Sequence, residues 1–266
     1  MAHLTADGLP FTGPLGNISA YKMRGHDKIV LRTKGGASKE KIKKAKQFDV
    51  TRRLNAEFGA RATGSKCIMR SMFPLKALAD YNIAGPLNAL IKPIQALDTE
   101  SEYGKRNIYF TRNPKLLEGF SLNKANPFDT IVRNPITCKL DKTNLSASID
   151  IPALITDINF FVPPGRYPFY SIIAVLGILP DIKFMKNRYF PLAGAEPVNV
   201  ISEWYPAAKG SPASALKVNL EAKDLQSAAA SFSVMLSIGI RFGMPGLNGE
   251  IEQIKYAGAA KVLSVE

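Results

Sequence analysis

The stretch SFSVMLSIGIRFG, residues 231–243, decides the fold of this 266-residue chain. Large apolar side chains occupy its even positions, while mostly small or polar side chains alternate with them. This period of two is typical of a β-strand with one apolar face. The same period recurs from Ile136 onward, for example in LSASIDI at 145–151. About eight such strands, residues 154–161 among them, predict an antiparallel β-sandwich over residues 136–266, with an immunoglobulin-like arrangement as one form of it.

The basic charge of the chain is concentrated at its front. The first 70 residues carry fifteen Lys and Arg against five Asp and Glu, which accounts for ten of the thirteen net positive charges. An acidic partner would bind there, whether nucleic acid, an anionic surface or an acidic neighbouring subunit. A basic face that is simply solvated explains the same composition and stays open as the alternative.

Residues 15–34 have the pattern of a β-hairpin, with LGNISAYKM and KIVLRTK as strands around turn residues 24–27. A lone two-stranded hairpin is only marginally stable in water. This hairpin must therefore pack on its own body or on a neighbouring subunit. We expect it to be an intersubunit arm whose contact residues are Gly16, Ile18, Tyr21, Ile29 and Leu31.

The segment that follows is helical and basic. Ser38 is expected to cap a helix that reaches Ala62. Its narrow apolar stripe would consist of Phe48, Thr51, Leu54 and Phe58. The residues expected to contact nucleic acid or an acidic partner are Lys39, Lys43, Lys44, Lys46, Arg52 and Arg53. Pro74 and Pro86 divide the helical pattern that continues after it. The buried face of the helix that starts at Pro86 is expected to consist of Leu87, Leu90, Ile91, Ile94 and Leu97.

These patterns predict an α+β chain with a basic N-terminal β-hairpin arm, a small helical group and a C-terminal sandwich. The expected segments are the arm and hairpin at 1–36, the basic helical region at 37–98, a connector at 99–135 and the β-sandwich domain at 136–266. The connector is rich in aromatic and aliphatic residues, so we do not expect it to be a flexible linker.

No catalytic or cofactor motif is found in the sequence. Residues 59–66, GARATGSK, approximate a phosphate-binding loop, but Ser and Lys are swapped and no strand precedes it, so we interpret it as a helix-to-helix turn. His3 and His26 lie near no obvious nucleophile. Cys67 and Cys138 are too far apart to be clustered metal ligands, and we expect buried free thiols. We therefore expect no enzyme, cofactor or metal.

The sequence also bears on localisation. The N-terminal stretch lacks the basic and apolar regions of a signal peptide. The longest apolar run, at 169–179, is shorter than the ~20 residues needed to span a bilayer, and Pro168 and Pro180 bracket it as turns bracket a strand. We expect a protein made in the cytoplasm without a membrane span, with assembly into a particle, retained or released, as a further option.

The front of the chain resembles an uncharacterised bacterial family, a domain of unknown function with a Gly-led hairpin, a basic helix and a strand-rich C-terminal half. The residues that carry the resemblance are Gly13, Gly16, Tyr21, Gly25, Arg32, Phe48, Thr51, Arg52 and Phe58. Phage-like structural proteins begin in a similar way and are the weaker likeness. The resemblance covers mainly the first 60 residues and implies a fold, with no catalytic residues to carry over.

Taken together, these observations predict a non-enzymatic structural subunit. It would assemble as a homo-oligomer or polymer into a tube, filament, shell or phage-derived particle, with its N-terminal arm pairing with a neighbouring copy. The alternative is a nucleic-acid-binding protein that uses the basic helix at 39–61. A shell protein that lines its lumen with this helix would combine the two.

Overall fold

The computed structural model describes residues 2–3, 11–23, 28–33, 35–165, 167–221 and 231–266. The chain divides into two compact units, Met1–Arg52 and Arg53–Glu266, here called the N-terminal unit and the C-terminal unit. The turn predicted at residues 24–27 lies outside the described residues.

The N-terminal unit contains a four-stranded antiparallel sheet. Its strands are β1 (Ala2–His3), β2 (Gly13–Leu15), β3 (Ile18–Lys22) and β4 (Ile29–Thr33), in the order β1-β4-β3-β2. The predicted hairpin is confirmed by β3 and β4, which pair from Ile18 opposite Thr33 to Lys22 opposite Ile29. Its first strand was predicted too long, because Gly16 adopts a φ of 54° and turns the chain between β2 and β3.

Ser38 caps α1 (Lys39–Lys44) as predicted, since its side-chain oxygen accepts a hydrogen bond from the Lys41 N–H at 3.2 Å. The helix expected to reach Ala62 ends here instead. Ala45 takes an extended backbone conformation with a ψ of 135° and interrupts the helix. A short 3₁₀ turn follows at Lys46–Phe48, and α2 then runs through Asp49–Ser71.

The small-residue face of α2 is the one that packs. Leu54 and Phe58, expected in the buried stripe, are 47% and 53% exposed. The buried residues are Glu57, Ala60, Gly64, Ser65, Ile68 and Ser71. A Cβ on Gly64 would lie 3.3 Å from the side chains of Ile91 and Phe110. The predicted apolar stripe and the predicted turn at 59–66 are therefore wrong, because α2 continues there and small residues allow close packing.

The C-terminal unit continues with a 3₁₀ turn (Phe73–Leu78), α3 (Ala84–Ala96), a second 3₁₀ turn (Pro114–Leu117) and α4 (Phe128–Ile131). Its first strands are β5 (Thr137–Asp141), β6 (Ser146–Ile151), β7 (Phe169–Pro180), β8 (Ile182–Met185) and β9 (Arg188–Pro191). They are followed by β10 (Val198–Ile201), β11 (Tyr205–Pro206), β12 (Ser214–Asn219), β13 (Phe232–Pro245) and β14 (Ile251–Val265).

Two local predictions in this unit are wrong. Residues 154–161, expected as a strand, form a turn in which the Asn159 side chain accepts a hydrogen bond from the Ile155 N–H at 2.7 Å. Leu97 was expected on the buried face of α3, but it lies beyond the helix end and is exposed. The buried face of α3 otherwise contains Leu87 and Ile91 as predicted.

The C-terminal unit has three layers. Its central antiparallel sheet has the order β10-β7-β13-β14, with β11 also paired to β7. Apolar side chains on one face of this sheet form a core with the three-stranded sheet β12-β6-β5. Those on the other face form a second core with α2, α3 and the 3₁₀ turn at Phe73–Leu78. The α+β class is confirmed. The predicted sandwich is not confirmed, because helices cover the second face of the central sheet.

The small residues at odd positions of β13 face these helices. Ser233 is fully buried, and a Cβ on Gly239 would lie 2.8 Å from the side chain of Leu78. On β7, a Cβ on Gly177 would lie 2.4 Å from the carbonyl oxygen of Ser71. The small residues that alternate with the large apolar ones therefore lie on a second buried face of the sheet. On this face the helical layer comes close to the sheet backbone.

Gly177→Ala should lower the stability of the protein, whereas Gly59→Ala should leave it unchanged or raise it. The alanine methyl group at 177 would overlap a backbone oxygen that cannot rotate away, and overpacking of this kind costs about 1–3 kcal/mol. Gly59 is a matched control in α2 with open space around an added Cβ, where alanine gains about 1 kcal/mol. Thermal unfolding followed by circular dichroism measures both, and equal Tm values would contradict the packing described here.

Candidate functional site

The residues predicted to form an intersubunit arm lie in the sheet of the N-terminal unit. Gly16 turns the chain, Ile18 is exposed at the start of β3, and Tyr21, Ile29 and Leu31 are half-buried. Both β3 and β4 already have strand partners on their outer sides, in β2 and β1. A neighbouring copy would therefore meet the outer strands or the exposed side chains of this sheet.

Pro14 weakens β2 as an edge for strand pairing. Leu15 pairs with Ile18 across the two-residue turn, and Pro14 pairs with Ser19. In an antiparallel ladder, a residue next to a hydrogen-bonded pair points its N–H away from its partner strand, towards any further strand at the edge. Proline at this position has no N–H to donate to such a strand. Leu15 is 64% exposed beside this edge. The edge therefore offers an apolar side-chain contact in place of a continuous backbone ladder.

Four of the predicted basic contact residues are exposed lysines. They lie in α1 or directly after it and are Lys39, Lys43, Lys44 and Lys46. Within the ranges that the structure describes, no carboxylate oxygen lies within 4 Å of their ammonium groups. Their charges are therefore available to an external anion.

The two predicted arginines have structural partners. Arg52 donates from Nη1 to the carbonyl oxygens of Ile42 at 2.8 Å and Ala45 at 2.9 Å, which satisfies backbone groups at the end of α1. Arg53 pairs with Glu102 at 3.4 Å in the C-terminal unit. The lysines and these arginines therefore do not form one uniform surface.

At the end of the central sheet, the hairpin that joins β13 and β14 extends past β7 by two residue pairs and a turn. The pairing of β13 with β7 ends at Gly243, whereas its pairing with β14 continues through Pro245. We call residues 244–256 the hairpin arm, of which 253–256 lie opposite 241–243 in an irregular part of the ladder. Leu247 at its tip is fully exposed, and Tyr256 is 71% exposed. In the sequence, Gly243, Gly246 and Gly249 between two strand patterns indicate an ordinary hairpin loop here. The signal that could have found it was an apolar residue at a turn, where polar residues are usual.

A buried ion pair anchors α2 to the following loop. Arg106 donates from Nε and Nη2 to the two carboxylate oxygens of Glu57, both at 2.6 Å, and the Gly104 N–H donates to the same carboxylate at 2.9 Å. Burial by itself raises the pKa of Glu57, but these hydrogen bonds outweigh it and hold the pKa below its ordinary value. The groups satisfy one another, which indicates a structural role.

An open groove of about 530 Å³ lies at one end of the three-stranded sheet, lined in part by Thr137, Asp150 and Ser214. Asp150 is the one carboxylate that lines it, whereas catalysis by paired carboxylates requires two. Among the described residues, no three His, Cys, Asp or Glu side chains are grouped as metal ligands would be. Cys67 and Cys138 are free, as expected, and partial burial raises the pKa of both thiols.

No helix in the described part of the chain combines the length and apolar composition needed to cross a membrane. No protein-family model, curated protein or solved structure matches this chain. The resemblance to an uncharacterised bacterial family and to phage-like structural proteins therefore stays a prediction.

Glu57→Gln should lower the free energy of unfolding by about 3 kcal/mol at pH 7, because it leaves Arg106 without its carboxylate. A carboxylate whose pKa is lowered by folding contributes stability above its unfolded pKa of about 4.3, and this stability is lost as the pH falls through the folded value. The deficit of the variant should therefore be full at neutral pH and shrink below about pH 4.

Urea unfolding of both proteins from pH 7 to pH 3 measures this deficit. Glu100→Gln is the control, since Glu100 is largely exposed and lies 3.7 Å from Arg112, and its loss should change stability little. A deficit for Glu57→Gln that stays constant over the whole pH range would show that the carboxylate charge does not stabilise the fold.

Proposed function

We propose that this protein is a non-enzymatic structural subunit that assembles with copies of itself into a tube, filament, shell or phage-derived particle. In this assembly the hairpin arm of one copy contacts the N-terminal unit of the next. The observation that carries the proposal is the full exposure of Leu247 at the tip of a hairpin that extends past β7. A large apolar side chain in this position gains free energy when another surface covers it.

The apolar side chains of the two surfaces fit such a contact. Met244 and Tyr256 are exposed on the hairpin arm together with Leu247. On the N-terminal unit, Leu15 and Ile18 are exposed beside the turn between β2 and β3. Burial of one leucine side chain is worth about 1.5–3 kcal/mol, which offsets part of the entropy lost on association.

The charges of the two surfaces are also complementary. The N-terminal unit carries eleven Lys and Arg against four Asp and Glu, a net charge of +7. The hairpin arm carries Glu250 and Glu252 against Lys255, a net charge of −1. A contact between two different surfaces of identical copies is heterologous, and it builds rings or open filaments according to the rotation between copies.

Leu247→Ser should weaken self-association at least tenfold while leaving the fold intact. The side chain is fully exposed in the single chain, so its loss costs no internal packing, but it removes apolar area from the proposed contact. The measurement is the mass of the wild-type protein and the variant by size-exclusion chromatography with light scattering over a range of concentrations.

Ile158→Ser is the matched control, because Ile158 is also a large exposed apolar residue but lies in the turn at 154–161. It should assemble like the wild type. Equal assembly of wild type and Leu247→Ser would contradict the role of the hairpin arm. Equal weakening in both variants would indicate a non-specific hydrophobic effect.

Nucleic-acid binding by α1 and the 3₁₀ turn after it is the second candidate function. The observation that favours it is the group of exposed lysines without carboxylate neighbours in the described part of the chain. Such a surface binds phosphates with an affinity that falls linearly, on logarithmic scales, with salt concentration. The two candidates are compatible, since an assembled shell or tube can present this surface on its inner side.

Changing Lys43, Lys44 and Lys46 together to Glu should abolish binding to a fluorescent single-stranded oligonucleotide and remove its salt dependence. The control changes Lys139, Lys209 and Lys217 to Glu, three exposed lysines of the C-terminal unit, with the same change in net charge. Fluorescence anisotropy from 50 to 300 mM salt measures both. Binding that persists in the first variant, or is lost equally in both, would rule out a specific role for α1.

A further inference from the structure

Arg241 on β13 is a partly buried cation with an unusual set of neighbours. Its guanidinium group stacks on the ring of Trp204, with 4.5 Å from Cζ to the ring centroid. The ring itself is held against the sheet, since a Cβ on Gly243 would lie 2.9 Å from it. Trp204 belongs to neither apolar core of the C-terminal unit and covers this arginine instead.

The hydrogen bonds of this guanidinium group are weak and incomplete. Nη2 lies 3.4 Å from the Ser171 hydroxyl and Nη1 lies 3.5 Å from the Gln253 side-chain oxygen, both longer than ordinary N–H···O bonds. The buried Nε has no acceptor among the described residues. Within the same residues, no carboxylate oxygen lies within 4 Å of the group.

Three other arginines of the C-terminal unit are paired with a carboxylate or exposed to water. Arg106 is paired with Glu57, and Arg70 is paired with Glu196. Arg188 also stacks on a ring, at 4.4 Å, but it is exposed to water. At Arg241, by contrast, burial lowers the pKa of the guanidinium group, because removing its charge from water costs free energy.

We propose that Arg241 and Trp204 form a binding site for a small oxyanion, a phosphate or a carboxylate group. A guanidinium group presents parallel N–H donors that match two oxygens of such an anion. The side chain is partly exposed, so an anion reaches it from solvent. The indole ring fixes the guanidinium plane before the anion arrives.

Trp204 is the only tryptophan of the chain, so its fluorescence reports directly on this site. The wild-type protein is titrated with sodium phosphate and, separately, with sodium acetate, at constant ionic strength maintained with sodium chloride. We expect a saturable fluorescence change with at least one of the two anions. The anion that binds more tightly distinguishes a phosphate site from a carboxylate site.

Arg241→Gln should abolish the saturable change, and Arg241→Lys should weaken binding about tenfold because it keeps the charge but loses the paired donors. Arg188→Gln is the matched control and should behave like the wild type. Circular dichroism establishes whether each variant is folded. If Arg241→Gln is unfolded, Arg241→Lys alone tests the proposal. The proposal is overturned by a wild type that shows no saturable change, or by a change that persists in the folded variants at Arg241.

Discussion

The close approach of the helical layer to the central sheet is the constraint on which the C-terminal unit depends. Gly177, Gly239 and Gly258 lie on three neighbouring strands, and a side chain on any of them would collide with a backbone oxygen or with the helical layer. Because these positions carry no side chain, the end of α2 and the following 3₁₀ turn pack directly on the sheet. The strands β7 and β13 are then buried on both faces, and they join the two apolar cores into one structure.

Burial of both faces of the sheet leaves its ends and edges as the places where function can reside. The described interior contains the Glu57–Arg106 pair with its own partners and no cluster of metal ligands. Three features lie nearer the periphery: the exposed apolar tip of the hairpin arm, the exposed lysines of α1, and the arginine that stacks on Trp204. The proposed contact between copies uses the tip of the hairpin arm, and the net charges of the hairpin arm and the N-terminal unit are opposite in sign.

Period-two alternation predicted β3, β4, β6, β12 and β13 well, because a large apolar residue at every second position matches the pleat of a strand and not the 3.6-residue repeat of a helix. The buried face of α2 could not be predicted in the same way, since Ala60, Gly64 and Ser65 pack by being small and do not form an apolar stripe. Alanine favours a helix, so the sequence around Ala45 does not indicate that α1 ends there. The Ala45 carbonyl oxygen at this end accepts a hydrogen bond from Arg52, seven residues further on. The contact between Arg241 and Trp204 joins residues 37 positions apart, which no local pattern reveals.

The mass of the 266-residue protein in solution is the most direct test of the proposed self-assembly. Size-exclusion chromatography with light scattering, at low and at high salt and with absorbance at 260 and 280 nm, gives the assembly state and any bound nucleic acid together. The account predicts a particle many times heavier than the 29.0 kDa chain that persists at high salt without nucleic acid. A 29.0 kDa monomer at every protein concentration and salt concentration would contradict it.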